Sequence, residues 1–451
     1  MILHRNESCL RLNFISASMF WSIVIGLTGQ PLDSRLFAQE AAEQQSNRAD
    51  DQSKTPPPTQ AEVTKDKEEL FGRPAVEIPT KIDQYMHSVK ELLESGSARQ
   101  LLRQFAFKEM LFSLQNRGLF SDLDETELES LSKLLRQHSI RRIQQFRSMA
   151  WDEAKWLEFE TRDDGSVVLL ARHFAEEDGT TSYVKWYLQS IDGQWRIVDY
   201  ESLDVNLRFT TLLRLGLEGV SDGQEWPVIA SQFFDLIWPV MLGIEVDEDF
   251  DFEFALDLGE KILRTKPPED VVGLTAFLQA TLLFTFGDEH DEKEALDYLS
   301  DLEKSHPEMP VLYYLRGTIL EYRGEYSAAI ESFLEYGRRL DFDANLHEQI
   351  ADCYFYVGQR ELSAKHAELG LKERPLSIGC LCSFAAALQS HQLDRLEPYL
   401  AKHEFDEGVL EAVIDWVLGQ ESMPAARFVF DLLQTHHPQS ELIEYYEDLI
   451  D

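Results

Sequence analysis

His173, Asp199, Tyr183 and Tyr187 are the residues in this chain whose types suit general acid–base work. A histidine or a carboxylate moves a proton and a tyrosine steadies developing charge, provided that two of the groups form a pair with distinct roles. The sequence does not supply that pair. Tyr and His are expected to alternate outward on strands there, and Asp199 to end one. G-x-S-x-G, G-x-G-x-x-G, the P-loop and H-E-x-x-H are all absent, so no motif assigns a reaction.

Metal chemistry fares no better. EVDEDFDFE (Glu245 to Glu253) places six carboxylates in nine residues, but counting from Asp247 puts Phe252 and Leu258 where a calcium loop needs Gly and Glu. Acids before a helix are explained by the macrodipole, and DEHDEKEALDYL from Asp288 reads in the same way. His436-His437-Pro438 has no further ligand at metal spacing and reads as a helix C-terminus. Of Cys9, Cys353, Cys380 and Cys382 none forms C-x2-C, so small buried side chains are expected, with a Cys353–Cys380 bridge as the alternative in an oxidising compartment. No cofactor or metal is expected.

The 81 acidic against 42 basic residues give a formal charge of −39. That repels nucleic acid and anionic headgroups and favours cationic partners. At the front, Arg5 and Arg11 precede an apolar run from Phe14 to Leu27, with Gly29 or Ala38 beyond. This pattern resembles a secretory signal peptide, so 1–38 is expected to direct export, with an uncleaved N-terminal anchor as the alternative. Membrane contact is then confined to that anchor. Residues 39–78 begin with an aromatic-free polar stretch that buries too little to offset its ordering entropy, and are expected to be a disordered tether.

Residues 79–205 change period midway. Helices are expected over 81–93, 98–117 and 124–147, the last with Asp124 and Glu127 as a capping box. Asp-Gly pairs then recur every 14 residues, at 164–165, 178–179 and 192–193, between β-branched and aromatic runs. Such turns make a four-stranded antiparallel meander. Helices followed by a meander ending in GQWRIVDYESLD, with Trp195 and Val198, resemble the NTF2-like cone and the MlaC-like lipid-carrier family. The resemblance implies a small α+β domain with a curved sheet over an apolar pocket. In NTF2-like enzymes such a cone holds an Asp or His, often with Tyr.

After a linker at 206–225 the remainder, 226–451, reads as helical. WPVIASQFFDLIWPVMLG is apolar almost all round and reads as a buried helix kinked at Trp238-Pro239. PVLYYLRGTILEYRGEYSAAIESFLEYGRRLDFDA (310–344) matches the pattern W-x2-L-G-x2-Y, A-x3-F, P at Tyr313, Gly317, Ala329 and Phe333, and departs from it at Arg316, Leu320 and Asp341. A small residue with proline twelve places on recurs at Ala255/Pro267, Ala295/Pro307, Ser363/Pro375 and Ala426/Pro438, and Ala295, Ala329 and Ser363 are spaced by 34. Ile350, Ala351 and Tyr354 repeat the first half of the pattern, and Gly324 and Gly358 mark turns. These residues resemble the tetratricopeptide (TPR) repeat, in which small residues let paired helices cross closely.

The resulting fold class is mainly α: a TPR-like solenoid preceded by three helices and a four-stranded sheet. The leading expectation is an exported, non-enzymatic scaffold that binds a protein or peptide partner of basic or amphipathic character. Small apolar ligand or lipid binding by the front domain is the alternative, and an NTF2-like enzyme the second. The resemblance to TPR proteins puts the groove on the first helices of the pairs: 311–323, 345–357 and the helix ending near Phe286. Its candidate residues are Tyr314, Glu321, Tyr322, Glu348, Asp352, Tyr354 and Phe355.

Overall fold

Asp124 and Glu127 begin a helix as their spacing suggests. The Glu127 N–H donates to Asp124 Oδ1 at 2.9 Å, and the Asp124 N–H donates to Glu127 Oε2 at 2.8 Å. In the computed structural model the described residues are 73–95, 98–116, 123–142, 151–175, 180–204, 207–211, 229–230, 232–233, 236–237 and 250–450. They fall into two compact units, 74–319 and 320–450 with Arg73, and each is described by itself. The class is mainly helical, with an antiparallel sheet N-terminal to a run of helices consistent with a TPR-like solenoid.

The first unit opens with α1 (Thr80–Ser95), α2 (Ala98–Leu102), α3 (Phe107–Asn116) and α4 (Glu125–Arg142). The single helix expected over 98–117 is therefore two. Phe105 bridges Ile197 in parallel: the Ala106 N–H donates to the Ile197 carbonyl, and the Ile197 N–H to that of Gln104, both at 2.8 Å. Pairing with the sheet takes the backbone groups that a continuous helix would have used.

The strands are β1 (Glu153–Thr161), β2 (Val167–Ala175), β3 (Thr180–Ile191), β4 (Gln194–Ser202) and a two-residue β5 (Leu207–Arg208), antiparallel and in sequence order. The sheet thus has one strand more than the four expected. Asp192 and Gly193 both take positive φ, 52° and 75°, as a tight two-residue turn requires, and Gly165 does the same at 77°. The pair 178–179 and the Trp238-Pro239 kink lie outside the described residues. Val167, Leu169 and Ala171 of β2, Val184, Trp186 and Leu188 of β3, and Ile197 and Tyr200 of β4 share one core with Ile82, Met86 and Val89 of α1 and with Phe105, Phe107 and Phe209. The interior of the sheet is filled by the chain's own side chains.

Helices α5 (Phe252–Arg264), α6 (Glu269–Phe286), α7 (Glu289–Ser305) and α8 (Val311–Tyr322) follow. Asp251 caps α5 by accepting from the Phe254 N–H at 2.9 Å, and Asp288 caps α7 in a capping box with Asp291. Asp251 and Asp288 thus serve helix starts, where a carboxylate satisfies N–H groups that the helix leaves unpaired, while 245–249 lie outside the described residues.

The second unit carries α9 (Tyr326–Arg339), α10 (Ala344–Tyr356), α11 (Arg360–Glu373), α12 (Ile378–Ala387), the short α13 (Glu397–Leu400) between two 3-10 turns, α14 (Glu407–Gly419), α15 (Met423–His436) and α16 (Leu442–Ile450). Helices α9 to α12 each pack on the next, as do α14 to α16, and α10 also packs on α12 and α12 on α14, first helix against first helix. Gly324 and Gly358 close the helix turns at φ 74° and 78°, a region that costs other residues dearly.

The repeat anchors Ala255, Ala295, Ala329, Ser363 and Ala426 are all fully buried, and so are Ala351 and Phe333; Tyr313 and Gly317 are buried as well. Ser363 and Ala426 are not spaced by 34, and the departure has a visible cause. After α12 the second helix of the pair is replaced by Ser390–Arg395, Glu397–Leu400 and Ala401–His403, which still bury Leu393, Leu396 and Leu400. Cys353, Cys380 and Cys382 are buried free thiols. His436 ends α15 stacked 3.9 Å from Phe405, and His437 Nε2 lies 2.8 Å from the Phe405 carbonyl oxygen.

Ala329→Trp should lower stability by roughly 1–3 kcal/mol, because an indole cannot enter a fully packed position without displacing neighbours. Glu325→Ala, at an exposed turn where Glu325 pairs with Arg323, should change it by less than about 0.5 kcal/mol. Thermal melts of the two variants check the register. Equal melts would remove Ala329 from the packed position.

Candidate functional site

Strand parity decides the fate of the acid–base candidates. His173 shares the inner face of β2 with Val167, Leu169 and Ala171, so it points into the core and not outward as expected. Its ring stacks 4.0 Å from Trp151 and its Nε2 accepts from Trp186 Nε1–H at 3.4 Å. Burial holds its pKa down at about 3, so it stays neutral. Asp199 lies within β4 opposite Tyr187, on the other face. Its carboxylate accepts from the N–H groups of Tyr200 and Thr210 and from Thr210 Oγ1 (3.0, 3.1 and 2.7 Å), with Arg208 Nε at 3.6 Å. A His173–Asp199 couple is excluded by geometry.

Tyr187 donates to Glu201 Oε2 at 2.7 Å while Arg208 lies 4.5 Å over its ring. Tyr183 is buried on the same face. These groups lock β5 to β4 and present no free acid or base. Among the described residues, His290, Asp291 and Glu294 bring three metal-ligand atoms within 4.8 Å of one another. Asp291 already spends Oδ2 on the Asp288 N–H, and its neighbour His290 is exposed, which suits a helix start.

The acidic candidates behave differently. Glu321 ends α8, and Glu348 and Asp352 stand one turn apart on α10. Burial first, then the charges of Asp352 and Glu348, push the Glu321 carboxyl up to about 8; no cation acts against them. The three carboxylates therefore share one region of the second unit. Helix α12 lies against it. Ser383 Oγ donates to Asp352 Oδ1 at 2.6 Å, and a Cβ on Gly379 would sit 2.0 Å from a Glu348 oxygen. A Cβ there would push the Glu348 carboxylate out of this position. The buried Cys382 thiol feels Glu348, Asp352 and Asp415 together, which carries the acidic line on to α14.

Of the aromatic candidates, Tyr354 turns toward α11, its ring 5.4 Å from His366. Phe355 packs against the second unit's core beneath the Arg360 guanidinium at 5.0 Å. Tyr322 is half-buried at the end of α8, next to Glu321, and Tyr314, in the first unit, is also half-buried. Sequence reasoning missed Gly379 and Ser383. The one signal for them is that they are four apart on a helix next to the acidic one, the spacing of a single helix face.

The raised carboxyl gives a pH signature. A folded-state pKa above the unfolded value means that the native chain binds the extra proton, so stability falls as pH rises from about 4.5 to about 8. Glu321→Gln should remove that fall and stabilise the chain at pH 8.5 by about 1–3 kcal/mol, discounted because the residue as a whole is only half-buried. Melts at pH 5 and 8.5 check it: near-identical variant and wild type at both values would separate Glu321 from the other two acids.

No family model and no curated protein matches the chain. Among solved structures it is similar to YrrB, a TPR protein with an unusual peptide-binding site, at 12% identity and a TM-score of 0.28, over 38% of this chain and 92% of that one.

Proposed function

We propose that the chain is an exported, non-enzymatic scaffold whose first-helix face holds a basic or amphipathic segment of a protein partner. The observation that carries this is the gathering of Glu321, Glu348 and Asp352, where burial and then mutual repulsion keep a proton on Glu321 near neutral pH. A lysine or arginine side chain relieves that repulsion by replacing the proton with a positive charge of its own. Beside the acids, Leu376 and Ile378 at the start of α12 are 60% and 44% exposed, which suits an apolar residue next to the basic one. The acidic total favours attraction of such a segment from a distance. Export rests on the basic-then-apolar stretch before the polar tether.

The lipid-binding and enzymatic alternatives for the front domain have no comparable support. Its interior is occupied by Trp186, Tyr200, Phe105 and Phe209, and His173 is enclosed among tryptophans.

Titration of the full chain with a lysine-bearing amphipathic peptide tests the reading. Affinity should fall as salt rises toward a screening length of ~8–10 Å. It should rise by up to about tenfold between pH 7 and 9, as Glu321 gives up its proton while lysine, with a pKa of ~10.4, stays charged for most of that range. Glu348→Gln with Asp352→Asn should weaken binding roughly tenfold or more. Salt-independent binding, or preference for an acidic peptide, would overturn it.

A further inference from the structure

His347 on α10 and His366 on α11 face each other with Nδ1 atoms 3.1 Å apart, and they are 3% and 1% exposed. Their ring planes cross at 56°, with Phe342 stacked on the far side of His347 at 5.7 Å and Tyr354 against His366 at 5.4 Å. A hydrogen bond between two Nδ1 atoms needs one ring to carry a proton there and the other to offer a lone pair. Burial favours two neutral rings, in opposite tautomers, over an imidazolium donating to a neutral ring, which would keep the bond but bury a charge. Two doubly protonated rings would place N–H against N–H and two positive charges inside the core.

We propose that the His347–His366 pair is an acid-sensitive latch that closes α10 on α11, and that uptake of two protons from solvent breaks the hydrogen bond between the two rings and opens the helix pair. The groups around it favour the neutral state. Burial first, then His347, then the charge of Lys365 on α11 oppose protonation of His366. From α12 comes Cys380, whose thiol burial keeps protonated and whose Sγ lies near the Gly370 position that the His347 Cβ also approaches. From α10 come Tyr354 and the N-cap carboxylate of Asp343, already accepting from the Leu346 N–H at 2.8 Å. From the α9–α10 corner comes the phenyl ring of Phe342. A depressed folded-state histidine pKa contributes stability that is complete above about 6.5 and lost as pH falls below it. Opening α10 would displace Glu348 and Asp352, the helix's acidic face.

The experiment is an imidazole nitrogen NMR titration of the full chain, without any peptide, paired with segment-resolved hydrogen exchange expressed as protection factors. Both rings should remain neutral and in opposite tautomers from pH 8 to below the ordinary histidine value of ~6.5. They should then protonate together while protection across 344–373 falls more than tenfold relative to 407–436. His366→Asn puts a non-titrating N–H at the Nδ1 place and should abolish that pH-dependent loss. If this variant does not fold, the titration of the native chain still decides. Protonation of either ring near pH 6.5 with protection across 344–373 unchanged would overturn the latch. So would equal acid sensitivity in a folded His366→Asn chain. Neither readout uses a bound peptide, so failure here leaves the partner-binding reading standing, and the reverse also holds.

Discussion

Close approach of helices is the constraint on which the second half of the molecule depends. Two helices come together tightly only where a side chain is small, and at Ala255, Ala295, Ala329, Ser363 and Ala426 the chain keeps it small and wholly buried. Those positions sit on second helices. They fix how each pair closes, and so which face is left for α8, α10, α12 and α14. Once first helices pack side by side, as α10, α12 and α14 do, residues far apart in sequence meet. Glu321, Glu348, Asp352 and Ser383 are brought together by this spacing and by nothing local.

That convergence costs stability. Three carboxylates share a partly buried region in a chain that already carries 39 excess negative charges. The fold tolerates them by local adjustments: a glycine at 379 where any Cβ would strike Glu348, a hydroxyl at 383 donating to Asp352, and a retained proton on Glu321. Asp341 is an adjustment of another kind. It replaces the proline found at the matching places, is fully buried, and accepts from the Arg73 N–H at 2.6 Å, while the Arg73 guanidinium donates to the Arg338 and Arg339 carbonyls at the end of α9. Where proline merely stops a helix, Asp341 recruits a remote segment to cap it.

Much of the fold was legible because its signals are local. Asp-Gly pairs produce hairpins by their own φ preference, Asp124 and Glu127 cap each other three residues apart, and small residues recur at 34. What escaped was set by distant contacts. Nothing near Phe105 reveals that Ile197 will take the backbone of 104–106 and split a helix. His173 looked as though it should alternate outward; its inward place follows from pairing with β3 and from Trp151 and Trp186, which no local pattern encodes. Tyr354 fits the repeat pattern, and that is why it turns toward His366 and away from Asp352's face. The acidic residues could be nominated from their helices, whereas Gly379 and Ser383 lie on the next helix and needed the packing to be seen.

Carboxylate footprinting tests the central claim most directly. The full chain is labelled at its acidic side chains with and without a saturating lysine-bearing amphipathic peptide, and modification is read residue by residue. The account predicts that Glu321, Glu348 and Asp352 become protected while exposed acids on second helices, such as Glu361 and Asp431, keep their labelling. Bound peptide with all three carboxylates labelled as before would contradict it.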